Sequence, residues 1–261
     1  PLSGTEPTLE AHFFGRVAPL MREALLAPRR DLWPLVVLHL DFKTNEPAHH
    51  RAIWALLGKY QAWLTTAPQV ASGVVQPFSV GPLLVLTESG EGQAAVFNDA
   101  VPEGDRLRLF GTVPPVSVTT SDDREAQYEA AARATPEALM PAGATNYRRW
   151  VNFSWAVGER GGQSGAGQWD TNDRIRLDAV VARAHQLGLW IRFYTLNGHA
   201  PDEGRGWTAS YNFGSLEEVE PRWRAAVAAG VEFVATDQYE AFARVLRQLS
   251  ASWSTWRAPT R

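Results

Sequence analysis

The sequence has no cysteine among its 261 residues, which excludes disulfides and thiolate metal ligands while leaving secretion and cytosol equally open. It has no basic excess: 25 Lys and Arg stand against 28 Asp and Glu, for a net charge of -3. Nucleic acid is therefore not expected as a partner, and attraction to an anionic membrane would have to be local. No apolar run approaches the roughly 18 uninterrupted residues that a spanning helix needs, so no transmembrane segment is expected. A P-loop, G-x-G-x-x-G, H-E-x-x-H and G-x-S-x-G are all missing. The six histidines have no metal-binding spacing. His49 and His50 share a helix start, a position usually solvated or capping, and "HAPDEG" (199–204) reads as a loop of mixed polarity.

What is present suits a globular chain with a substantial core, because 45% of the residues are hydrophobic. The 11 tryptophans are expected mostly in packing, with stacking on sugars or membrane interfaces as their rarer use. No low-complexity linker divides the chain, and "GGQSGAG" (161–167) fits a long loop after a strand, so a single domain over 1–261 is expected.

Periodicity predicts helices over 8–27, 45–66, 121–134, 171–188, 215–230 and 239–249, and strands over 33–44, 82–87, 106–110, 149–155, 189–197 and 231–237. Ser215 with Glu218 forms an S-x-x-E cap, and Gly188 and Gly230 stand where helices stop. In the helices, Ile53, Leu56, Leu57 and Trp63 are expected to face inward, as are Ile175, Leu177, Val180, Val181 and Leu187. Helix, glycine, short apolar strand and helix again is the rhythm of βα units, and hence of a parallel sheet.

In such folds chemistry sits at the carboxyl ends of strands. The stretch "WPLVVLHLDFKT" (33–44) puts Val37, His39, Asp41 and Lys43 on one face and Val36, Leu38, Leu40 and Phe42 on the other. Other strand ends offer Asn152, Ser154, Glu159, Arg192, Thr195, Asn197 and Asp237. A carboxylate, a lysine and an arginine suit an anionic oxyester. Two carboxylates, Asp41 with Glu159 or Asp237, would instead suit a glycoside hydrolase.

The strands "LHLDFKT" and "WIRFYTLN" and the segment "AAGVEFVATDQYEAF" resemble the phosphatidylinositol-specific phospholipase C-like and glycerophosphodiester phosphodiesterase superfamily. The resemblance implies an α/β fold, a TIM-barrel-like parallel β/α barrel. It also implies metal-assisted hydrolysis of a phosphoric diester, with a small phosphodiester or phospholipid head group as partner. Carried over by position, Asp41 matches the metal carboxylate, for Ca or Mg, and Lys43 the substrate-stabilising lysine. Asn197 matches the late-strand asparagine, and Gly230, Val231, Glu232, Thr236 and Asp237 match the terminal strand. Arg192 joins Lys43 as a charge stabiliser. The family's first strand with its histidine, and its acidic-x-acidic strand, are not found before His39. The expectation is thus a barrel incomplete at its N-terminus, and the resemblance favours a secreted or periplasmic protein. The competing expectation is a non-catalytic barrel that binds a sugar or a lipid head group.

Overall fold

The computed structural model describes residues 5–27, 29–162, 167–194, 196–203 and 211–252. Thr195, and residues 163–166 of the glycine-rich loop, lie outside these. The chain divides into two compact units, one of residues 1–114 and 144–149, the other of 115–143 and 150–261. Both are α/β with parallel strands.

In the first unit, a π-helical turn at Glu10–Phe14 leads into α1 (Gly15–Leu26). Phe14, Ala18, Met21 and Ala24 recur every three or four residues and are buried on one face, as helical geometry requires. Phe14 stacks on Tyr60 with ring centroids 4.3 Å apart. β1 (Val36–Leu40) pairs in parallel with β3 (Leu83–Thr87), and β3 with β5 (Phe110–Thr112). Between the first two runs α2 (Pro47–Lys59), with proline in its first turn. Every residue of β3 is buried, which is why "LLVLT" reads as a continuous apolar run.

Three expectations change here. The helix expected over 45–66 ends at Lys59, followed by a separate 3-10 turn at Gln61–Trp63. Ile53 and Leu57 are buried as expected, whereas Leu56 and Trp63 are only half-buried and His50 takes the third inward place. The single strand expected over 106–110 is two. β4 (Arg106–Leu107) pairs antiparallel with β2 (Ala67–Pro68), and Phe110 begins the parallel β5.

The second unit begins with α3 (Arg124–Arg133) and the single turn α4 (Pro136–Leu139). β6 (Arg148–Ser154) pairs from Trp150 with β7 (Trp190–Tyr194), and β7 with β8 (Phe233–Val234), all in parallel. α5 (Thr171–Gln186) opens on a capping box in which Asp170 accepts from the Asp173 amide at 3.0 Å and Asp173 accepts from that of Asp170 at 3.0 Å. Its Leu177, Val180, Val181 and Ala184 are buried, while Ile175 is 58% exposed and lies off that face. α6 (Leu216–Ala229) is capped by Ser215, which accepts from the Glu218 amide, and is stopped by Gly230 at φ 85°. α7 (Tyr239–Ser252) follows β8.

Trp150, Trp155 and Trp223 are fully buried in this core, and none of the described tryptophans is in the exposed range. An ion pair is buried with them. Arg222, 1% exposed, grips Glu159, 2% exposed, which also accepts from the Trp155 indole at 2.6 Å. No helix among the described residues is long and apolar enough to cross a membrane.

Candidate functional site

Adjacent parallel strands end at one level, so residues just past them come side by side. Leu40, the last residue of β1, is in register with Thr87, the last of β3. Asp41 and Glu88 are the next residues on each strand. His39, one step back, brings Nε2 to 2.8 Å from Glu88 Oε1, with the two side chains 23% and 30% exposed. The approach is an ion-pair contact and lacks hydrogen-bond alignment. Beyond the strand, the Lys43 ammonium donates to Asp41 Oδ2 at 2.5 Å, and both side chains are exposed.

The surroundings explain why these side chains point outward. Phe42 turns inward against the rings of His50 and Phe97, at centroid distances of 5.0 and 5.8 Å. Asp41 and Lys43, its neighbours on either side, are thereby left to solvent. Behind them the Thr87 hydroxyl donates to Gln93 Oε1 at 2.8 Å, and the Gln93 amide donates to Asn45 Oδ1 at 3.0 Å. This chain ties the loop after β1 to the loop after β3.

His50 is fully buried, contrary to the solvated or capping role expected, and both of its ring nitrogens lack a hydrogen-bond partner. Burial first, and the neighbouring His49 second, hold its pKa below the ordinary histidine value.

In the second unit Arg192 lies in register with Asn152 and donates to its Oδ1 at 2.7 Å. Asn197 is 4% exposed, and its Oδ1 accepts from the Thr236 hydroxyl at 3.0 Å and the Asp237 amide at 2.8 Å. The Gln238 side chain receives the Gly198 N–H at 2.6 Å and donates to the Gly198 carbonyl at 3.2 Å. A Cβ on Gly198 would run into the Ser215 carbonyl and Val219. Asn212 in turn accepts from the His199 amide and donates to its carbonyl, each at 2.8 Å. Three side-chain amides thus clamp residues 197–199. The His199 ring is presented with Nδ1 at 3.1 Å from Glu203, in a cleft shared with Asp237 and Arg244.

Of the predicted residues, the structure brings Asp41 to Lys43, Arg192 to Asn152, and Asn197 to Thr236 and Asp237. Ser154 serves as a cap, accepting from the Ala156 amide at 3.3 Å. Glu159 is sealed against Arg222, and burial raises its pKa. Glu88 and Glu203 were not anticipated. The signal for Glu88 was an acidic residue directly after "PLLVLT". For Glu203 it was a glutamate four residues after a histidine. Among the described residues no group of three or more His, Asp or Glu is arranged to hold a metal ion. Asp41, held by Lys43, is by itself an incomplete ligand set for a metal ion.

No model of a known protein family matches the chain, and no characterised protein matches it.

Proposed function

We propose that this protein hydrolyses a phosphoric diester of the glycerophosphodiester or phosphoinositide kind, on a parallel barrel of the phospholipase C-like superfamily. The observation that carries the reading is the His39–Glu88 contact at the carboxyl ends of two adjacent parallel strands, with Asp41 and Lys43 immediately beyond. The Glu88 carboxylate stands beside the imidazole, at the strand ends where a substrate would meet it. His39 then takes a proton from the attacking water or substrate hydroxyl and returns it to the leaving alkoxide. The Lys43 ammonium, steered by Asp41, balances charge on the phosphoryl oxygens. In the second unit, Arg192 is a further charge-stabilising candidate, and the superfamily resemblance matches Asn197 to its late-strand asparagine. The resemblance also adds Ca or Mg at Asp41, although the described residues do not complete a cage for the ion.

Head-group binding without turnover is the second reading, favoured by the lack of a three-ligand metal cluster among the described residues. Turnover of bis(p-nitrophenyl) phosphate and of glycerophosphodiesters, with added Ca or Mg and after chelation, separates the two. The hydrolase reading expects activity that His39→Ala lowers by about a hundredfold or more with thermal unfolding unchanged. Stimulation by the ion that disappears in Asp41→Asn would assign Asp41 to the metal. Saturable head-group binding with no turnover would move the reading to a binding protein.

A further inference from the structure

The opposite end of the first unit's strands holds a second cleft, of about 450 Å³, on the scale of small-ligand sites. It opens where the chain enters β1 and β3: Trp33 lies shortly before Val36, and Val80 shortly before Leu83. At about 3.3 Å per residue, the five-residue β1 puts it roughly 17 Å from the His39–Glu88 pair.

Its walls have two characters. Leu25 and Val80, 40% and 56% exposed, face it together with the half-buried Trp33. Exposed apolar side chains gathered around a concavity mark a surface built for an apolar occupant. Beside Gln61, Thr66 and Ser79, the polar wall carries two arginines. Arg30 sits 5.5 Å over the Trp33 ring. Among the described residues Arg106 is held by Thr66 alone, donating to its hydroxyl at 2.7 Å and to its carbonyl at 3.4 Å, which leaves guanidinium N–H groups uncommitted. Among the described residues neither arginine has a carboxylate partner, and no acidic residue lines the cleft. Asp31, the acid nearest in sequence to Arg30, is taken by Arg29. The Trp33 indole N–H is buried without an acceptor, a costly state for a donor.

Two arginines and an apolar wall suit an anionic acceptor joined to a hydrocarbon. We propose that this cleft binds a single-chain amphiphile with one anionic head, an alkyl carboxylate or alkyl phosphate, with Arg30 and Arg106 on the head and Leu25, Val80 and the Trp33 ring along the chain. The inference does not depend on the hydrolase reading, since it uses none of the same residues.

Isothermal titration with decanoate and with decyl phosphate, each below its micelle-forming concentration, tests it against decanol and inorganic phosphate. Saturable binding is expected for at least one of the two amphiphiles, and which one binds identifies the head. Decanol and inorganic phosphate should each bind about tenfold more weakly or worse. Arg30→Gln with Arg106→Gln should lower the affinity by a similar factor, as should Val80→Asp. Arg30→Gln alone, at an exposed position, should also weaken binding and does not threaten folding. Equal affinity for decanol and decanoate, wild-type affinity in the double variant, or no saturable binding would overturn the proposal. So would co-sedimentation with anionic vesicles in the absence of monomer binding, which would assign the patch to a lipid surface.

Discussion

Glu88 meets His39 at 2.8 Å because each lies at the carboxyl end of its own parallel strand, and the strands are aligned so that Leu40 faces Thr87. The contact is set by register, so it survives conservative replacement of either partner. Glu88→Gln keeps the shape and removes the charge. If Glu88 supports His39 in proton transfer, that variant loses turnover of an aryl phosphodiester by about 10- to 100-fold, with KM little changed and the unfolding midpoint unmoved. Full activity in Glu88→Gln would remove the pair from the chemistry.

His50 makes the first unit sensitive to acid. Its neutral ring is buried beside Phe42 and Phe97, and the folded pKa lies below the unfolded value. Glu46 pulls the other way but is the smaller influence. Above the unfolded pKa of about 6.5 neither state binds the proton, and stability is independent of this group. As pH falls below that value the unfolded chain gains a proton that the fold resists, so stability declines, by at most about 1.4 kcal/mol per pH unit. Denaturant melts between neutral pH and pH about 5 should show this loss, and His50→Phe should flatten it.

The Glu159–Arg222 pair offers a test of buried charge in the second unit. Glu159→Leu or Arg222→Met alone leaves an uncompensated group in a site that is 1–2% exposed, at a cost of about 3–5 kcal/mol. Glu159→Leu combined with Arg222→Met should cost much less than the sum. A double-mutant cycle read by urea unfolding checks this, and additive losses would mean that the two residues do not act as a pair.

Asn197 can be separated from its clamp by two substitutions. Asn197→Ala strips the acceptor from the Thr236 hydroxyl and Asp237 amide, and a loss of about 1–3 kcal/mol is expected. Gly198→Ala should cost a similar amount through overpacking against Ser215 and Val219. A role for Asn197 in catalysis requires Asn197→Ala to lose more activity than Gly198→Ala at matched stability.

The elements legible from sequence were those whose signals are local. Ser215 with Glu218, Gly188 at φ 69° and Gly230 at φ 85° mark helix ends by their own backbone chemistry. The buried run "LLVLT" marks a parallel strand by composition. Elements decided by a distant partner were misread. "RLRLF" divides because Arg106 and Leu107 find Pro68 and Ala67, while Phe110 finds Leu86, and no property of the five residues themselves announces that choice. His50 reads as polar, yet the helix turns it toward Phe97. Glu159 reads as a strand-end acid, yet its fate is set by Arg222, 63 positions along the chain. At the candidate site, Asp41 and Lys43 could be found from a single strand. Glu88 needed the register between two.

The clamp around Asn197 and Gly198 also bears on how the chain ages. An asparagine followed by glycine is the dipeptide most prone to deamidate, because the next backbone nitrogen can attack the side-chain carbonyl carbon. In the folded protein the N–H of that nitrogen is bound to Gln238 at 2.6 Å, and the two donors on Asn197 Oδ1 hold the side-chain amide in one orientation. The ring closure is therefore hindered while the second unit is folded and released when it opens. Aspartate accumulating at position 197 would act as a slow chemical clock, recording the time each molecule has spent unfolded.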